Sequence, residues 1–254
     1  MRAAATFVGA LVLFAAPSAH AESAQALADK VEANFSGFGG QRVRLEMQVR
    51  EKNGETKDYR LVELAKESGD DLAMLVRFVA PEHLKGSALL VREPAGAPAE
   101  IWIYMAQMNE VRRVSGADRT ARFLGSEIDI EQLTLPRARD YDHRVVGAGE
   151  VQGKKCTKVE QTPKAPRSNY AKLITCVDAE RAVPLSIAYF DRSGRALKRL
   201  VVTGYTKTDA GWRPEQIAVE NLKSGRTTTL KFGQYRTGLK LADDLFSIAQ
   251  MQSR

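Results

Sequence analysis

The sequence predicts a mainly β protein of the α+β class: a strongly curved antiparallel sheet of about ten or eleven strands forming an incomplete barrel, with helices over its concave face. Two observations carry this. Period-two hydrophobic alternation recurs along most of the 254 residues, and it is broken by turn signals rather than by helical repeats. Helices do not alternate with the strands, which excludes the parallel βαβ pattern and leaves hairpin-linked antiparallel pairing.

The first element is an export signal. Arg2 supplies a positive start, Phe7 to Ala16 an apolar run, and Ala19-His20-Ala21 a small-residue cleavage pattern, so residues 1–21 read as a cleaved signal peptide. The run is shorter than the roughly 20 residues that a membrane-spanning helix needs. Glu22, rather than a lipid-accepting Cys, follows the cut. The expected product is an unanchored periplasmic protein, a single domain over residues 22–254.

Next comes one helix. Ala24, Leu27, Ala28, Val31 and Phe35 fall at helical spacing, and Gly37, Gly39 and Gly40 end the run. From Arg42 the period becomes two, with Val43, Leu45, Met47 and Val49 alternating with Arg44, Glu46, Gln48 and Arg50. Turn signals then space the following strands, among them Lys52-Asn-Gly-Glu55, Ser68-Gly-Asp-Asp71 and Asp209-Ala-Gly211. Between Val114 and Leu135 the strand pattern lapses. Loops of that length inside a compact domain are usually functional. A second short helix is expected in Leu241 to Ala249.

Cys156 and Cys176 are the two cysteines, an even count in an oxidising compartment, which predicts a structural disulfide. Pro163-Lys-Ala-Pro-Arg-Ser168 lies midway between them and breaks the strand pattern, so a hairpin turning at residue 166 brings the thiols face to face.

Catalytic and metal-binding patterns do not appear. His83 and His143 stand apart, with no ligand-spaced Cys, Asp or Glu around either, so no metal or cofactor is expected. Glu127, Asp129 and Glu131 alternate within the irregular region and read as a solvated face rather than an acid-base pair. The net charge of +7 falls to +6 with loss of Arg2, and the basic residues are spread along the chain, which argues against a nucleic-acid partner. These features predict a binding protein, not an enzyme.

One stretch of blocks carries a family likeness: Phe78-Val-Ala-Pro81 through Leu90, Trp102-Ile-Tyr104, Val111-Arg-Arg-Val-Ser-Gly116-Ala-Asp-Arg119 and Phe123-Leu-Gly-Ser126. Gly153-Lys-Lys-Cys156 and Phe190-Asp-Arg-Ser-Gly194 continue it. Together they resemble the LolA-like family of periplasmic outer-membrane lipoprotein-sorting proteins. Met105-Ala106 and Glu127-Ile-Asp-Ile130 depart from the family pattern. The resemblance implies a bent, incomplete barrel with helices as a lid and an apolar cavity that carries lipid or lipoprotein acyl chains. It further implies a resistance-nodulation-division type exporter in the inner membrane, an acceptor at the outer membrane, and a monomer.

Candidate cavity-lining residues are Val43, Leu45, Met47, Val49, Met74, Val76, Phe78, Ile101, Ile103, Met105, Phe123 and Leu124. Arg112, Arg113, Arg119 and Arg122 crowd the irregular region and are candidates for a lipid head group or an acidic partner. A sensor module of the same fold that binds a partner protein is the competing reading, and a hydrolase is the third.

Overall fold

The computed structural model describes residues 23–115, 121–133, 137–164 and 168–253, so the export signal and Arg119 lie outside the described residues. Helix α1 occupies Ala24–Phe35. Its N-cap, Ser23, accepts a hydrogen bond from the Ala26 amide, satisfying one of the donors that the first turn leaves open. The strands follow as β1 Gly40–Arg50, β2 Thr56–Ser68, β3 Asp71–Ala80, β4 Ala88–Glu93, β5 Glu100–Met105 and β6 Glu110–Arg113. After an irregular stretch come β7 Tyr141–Val151, β8 Lys154–Pro163, β9 Lys172–Asp178, β10 Val183–Phe190, β11 Ala196–Thr208, β12 Gly211–Asn221 and β13 Thr227–Arg236. A short helix α2, Ile248–Gln252, ends the chain.

All thirteen strands form one antiparallel sheet in the order β6-β5-β4-β3-β2-β1-β13-β12-β11-β10-β9-β8-β7. This exceeds the ten or eleven strands expected. Glu110–Arg113 and Tyr141–Val151 form the two sheet edges, where one flank goes unpaired and alternation is weakest. The order also shows how the chain is laid out. Strands β1 to β6 walk outward in one direction, residues 114–140 carry the chain to the far edge, and β7 to β13 walk back until β13 pairs with β1. The two edge strands are consecutive in sequence and do not pair, so the sheet curves without closing.

Alternation sorts residues onto two faces. Val43, Leu45, Met47, Val49, Leu61, Val76, Phe78, Leu89, Val91 and Ile101 pack together on the concave side. Leu75, Leu90, Trp102 and Tyr104 point the other way and pack with Phe246 and Met251. The C-terminal turns therefore lie against the convex face, where the sequence reading had put helices only over the concave one. Arg77 explains their position: its guanidinium donates to the carbonyls of Gln250 at 2.8 Å and Ser253 at 2.7 Å, closing the end of α2. Arg92 does the same for Phe246 O at 2.8 Å.

Helix α1 packs against β7, β10 and β12. Its last turn is pinned by Asn34, whose side-chain amide donates to the carbonyls of Arg181 and Ala182 and whose Oδ1 accepts from the Trp212 amide at 3.1 Å. Gly211 makes this docking possible. It sits at φ 106°, and a Cβ there would stand 2.6 Å from the Asn34 carbonyl oxygen.

Cys156 and Cys176 are disulfide-bonded, with Cα atoms 5.4 Å apart. They are not directly opposite, as a turn at residue 166 requires. Cys176 faces Lys158 and Val177 faces Thr157, so the bridge runs diagonally between β8 and β9. It lies on the side of the sheet opposite Val159 and Thr175.

Candidate functional site

The concave face encloses a cavity of about 1480 Å3. Besides β7 to β10, three sources build its walls. Strands β1 to β4 and β11 to β13 supply Leu45, Met47, Leu61, Met74, Val76, Leu89, Leu200, Val202, Ile217, Val219, Leu230 and Phe232. Helix α1 supplies Ala28, Val31, Glu32 and Phe35. The segment crossing from β6 to β7 supplies Phe123, Ile128, Glu131, Gln132 and Leu133.

That crossing segment was expected to be a loop with a solvated acidic face, and its acids prove to be buried. Glu127 is 0% and Asp129 3% exposed. Charges taken so far from water need partners, and both have them. Lys198 of β11, itself 6% exposed, reaches Asp129 Oδ1 at 2.7 Å and donates to Glu127 O at 2.9 Å. The Tyr170 hydroxyl donates to the other Asp129 oxygen. Asn221 donates to Glu127 Oε2 at 2.8 Å, while Arg226 and Arg122 place guanidinium nitrogens 3.3 Å and 3.4 Å from Oε1. The Glu127 amide donates to Thr228 Oγ1 at 2.8 Å. One side of the segment is thus tied to β11, β12 and β13, and its other side faces the cavity. At its start Phe123 packs on Phe78 of β3, ring centroids 6.0 Å apart.

The cavity wall is polar where β7 to β10 meet Glu131 and Gln132. Gln161, Leu173 and Tyr189 stand side by side across β8, β9 and β10, with Tyr141 of β7 opposite Pro163 in the adjoining row. Tyr170 packs against Tyr189 with ring centroids 4.7 Å apart and the planes tilted by 51°. Burial, reinforced by the Asp129 carboxylate, holds the Glu131 carboxyl above the usual glutamate range against hydrogen bonds from Asn169 and Ser168. Burial raises the Tyr141, Tyr170 and Tyr189 hydroxyls, so all three stay protonated as hydrogen-bond donors. Glu63, on the apolar side, is also raised by burial, although the Gln41 amide donates to it at 3.0 Å and Arg213 attracts its charge.

Of the residues singled out from the sequence, Leu45, Met47, Met74, Val76 and Phe123 line the cavity. Val43, Val49, Phe78 and Ile101 are buried in the packed cluster around it, with Ile103 packed against that cluster. Met105 is half-buried and Leu124 is 39% exposed. Arg113 lines the rim, 2.5 Å from Glu100, and Arg112 stands opposite Ile103 on the edge strand. Arg122 turns toward Glu127. His143 bonds Ala138 O at 2.8 Å, and His83 is exposed.

A protein-family model described as "Uncharacterized protein" matches residues 70–253. The chain belongs to that family. Its fold is LolA-like, as the sequence resemblance implied. An outer membrane lipoprotein-sorting protein domain from Vibrio parahaemolyticus is 24% identical with a TM-score of 0.85, covering 91% of this chain and 98% of its own. A DUF1329 family protein from Desulfovibrio piger is 23% identical at the same TM-score, with 91% and 100% covered. A LolA superfamily protein from Nitrosomonas europaea, 20% identical, has a TM-score of 0.72 over 91% of this chain and 100% of that one. No curated protein matches.

Most of the wall of this cavity is not among the residues singled out from the sequence. Val159, Gln161, Thr175, Tyr189 and Val202 sit at alternate inward positions of β8 to β11. The period-two signal was there, but threonine, glutamine and tyrosine at inward positions blur it. Helix α1 had the clearer signal, since Ala28, Val31 and Phe35 already formed its apolar stripe.

Proposed function

We propose that this chain is an exported, unanchored carrier that binds lipid or lipoprotein acyl chains in its cavity and shuttles them across the periplasm toward the outer membrane. The apolar cavity carries the reading. Each methylene exposed to water costs about 0.8 kcal/mol, so a sixteen-carbon chain left in solution costs about 13 kcal/mol. A cavity of about 1480 Å3 with leucine, valine, methionine and phenylalanine walls removes that cost. The description of the Vibrio parahaemolyticus relative as a lipoprotein-sorting domain agrees with it. In this reading a resistance-nodulation-division type exporter is the donor, and the protein acts as a monomeric binder rather than a catalyst. Arg112 and Arg113, at the edge strand, meet an acidic group on a partner surface.

Native mass spectrometry and lipid extraction of protein purified from the periplasm test this directly. The expected result is protein with an added mass that is released as lipid into organic solvent. Protein that emerges empty and takes up no lipid from vesicles contradicts the carrier and favours a sensor that binds a partner protein through its surface.

A further inference from the structure

The cavity is not uniformly apolar. Glu131 and Gln132 enter it from the crossing segment, Tyr141 and Gln161 from β7 and β8, and Tyr189 from β10. Two of these side chains, Gln161 and Tyr141, keep hydrogen-bonding capacity. Gln161 Oε1 accepts from Thr175 Oγ1 at 2.5 Å, which leaves its amide nitrogen as a donor. Among the described residues no hydrogen bond is found for the Tyr141 hydroxyl. Of the basic side chains around the cavity, Arg137 is 3.2 Å from Glu32 and Arg113 2.5 Å from Glu100, while Arg139 and Lys164 are largely exposed and stand 3.8 Å from Asp70 and Asp142. Lys198 is committed to Asp129 and the Glu127 carbonyl. A phosphate or carboxylate brought to this place gives up its hydration beside the Glu131 carboxyl, while the closely paired cations Arg137 and Lys198 already serve Glu32 and Asp129, a costly burial. A neutral group that both donates and accepts hydrogen bonds is matched instead, because polar groups of a buried site penalise an analogue that leaves them unpaired.

We propose that Tyr141, Gln161 and Glu131 form a subsite for an uncharged hydroxyl- or amide-bearing part of the cargo, seated within the cavity while the hydrocarbon lies against β1 to β4 and β11 to β13. This rests on the carrier reading and adds the class of cargo: a lipid with a neutral hydrogen-bonding group near its chain, in preference to a bare hydrocarbon ester or a fatty-acid anion.

The test displaces a bound uncharged dye, N-phenyl-1-naphthylamine, with three probes of one chain length: 1-oleoylglycerol, methyl oleate and oleate. The wild-type protein is expected to release the dye at about tenfold lower 1-oleoylglycerol than methyl oleate or oleate, the discrimination typical of one or two buried hydrogen bonds. Tyr141→Phe combined with Glu131→Leu should remove that preference, bringing the displacing concentrations of 1-oleoylglycerol and methyl oleate together. Glu131→Gln, which keeps a donor and an acceptor, should retain it. Equal displacement by 1-oleoylglycerol and methyl oleate in the wild type overturns the subsite while the carrier stands, and so does a preference for oleate. Failure of the wild type to bind the dye or any of the three overturns the carrier reading and the subsite with it. The wild-type comparison decides the matter even if a variant does not fold.

Discussion

Glu63 shows how one residue links the cavity to the behaviour of the whole fold. Burial lifts its carboxyl above the ordinary value of 4.5, so the folded protein keeps a proton that the unfolded chain releases. A group of this kind contributes its full stability below that ordinary value and loses it as the pH rises through the raised one. Glu63→Gln, neutral at every pH and similar in size, should therefore match the wild type at about pH 4 and melt a few degrees higher at about pH 7. Melting curves at the two pH values check this, and a difference that does not change with pH contradicts it. The sign of such an effect was not legible in the sequence, where Glu63 sits among Val62, Leu64 and Ala65 as an ordinary strand glutamate. Glu127 and Asp129 mislead more strongly. Alternating carboxylates in an irregular stretch usually face water, and only the partners Lys198, Asn221 and Arg226, some 70 to 100 residues on, explain why these two do not.

At the scale of elements, the crossing segment is the part whose identity depends on the rest of the chain. Its hydrophobic spacing carries little period, so the sequence marks it only as long and irregular. What defines it is the sheet order: β6 and β7 are opposite edges, and the described residues 121–133 between them lie along the cavity. The apolar side then serves as cavity wall and the polar side as an anchor on β11 to β13. Lys198→Met removes one member of that anchor and leaves Asp129 buried without its cation, which should cost about 3 to 5 kcal/mol of stability. Adding Asp129→Leu should recover most of that loss, since replacing both partners of a buried pair by apolar groups is often neutral. Denaturant unfolding of the single and double variants measures this, and additive losses contradict a paired anchor. Elements with strong local periodicity fared better in the sequence. Helix α1 spans the predicted run, and β1 shows the expected alternation of Val43, Leu45, Met47 and Val49. The edge strands, with Arg112 and Arg113 in one and Gly147 to Gly149 in the other, carry little of it.

For the molecule as a whole, an open curved sheet has one economical use of its concave face. A closed barrel of fewer strands fills its interior with its own side chains, whereas thirteen strands left unclosed, with a helix and a crossing segment laid inside, keep a volume of about 1480 Å3. The fold class was legible because alternation and turn residues survive in nearly every strand. The cavity was legible only in a small part, through residues such as Leu45, Met47 and Val76, because whether inward residues pack or leave space depends on curvature, which no local pattern encodes. Transfer of a labelled lipid between donor and acceptor vesicles tests the carrier most directly, comparing the wild type with Leu200→Trp/Ile217→Trp, in which two half-buried wall residues are enlarged to fill the space. The account predicts transfer that rises in proportion to wild-type protein and is lost in the filled variant, with melting temperatures within a few degrees of each other. Equal transfer by both proteins, or none by the wild type, contradicts it.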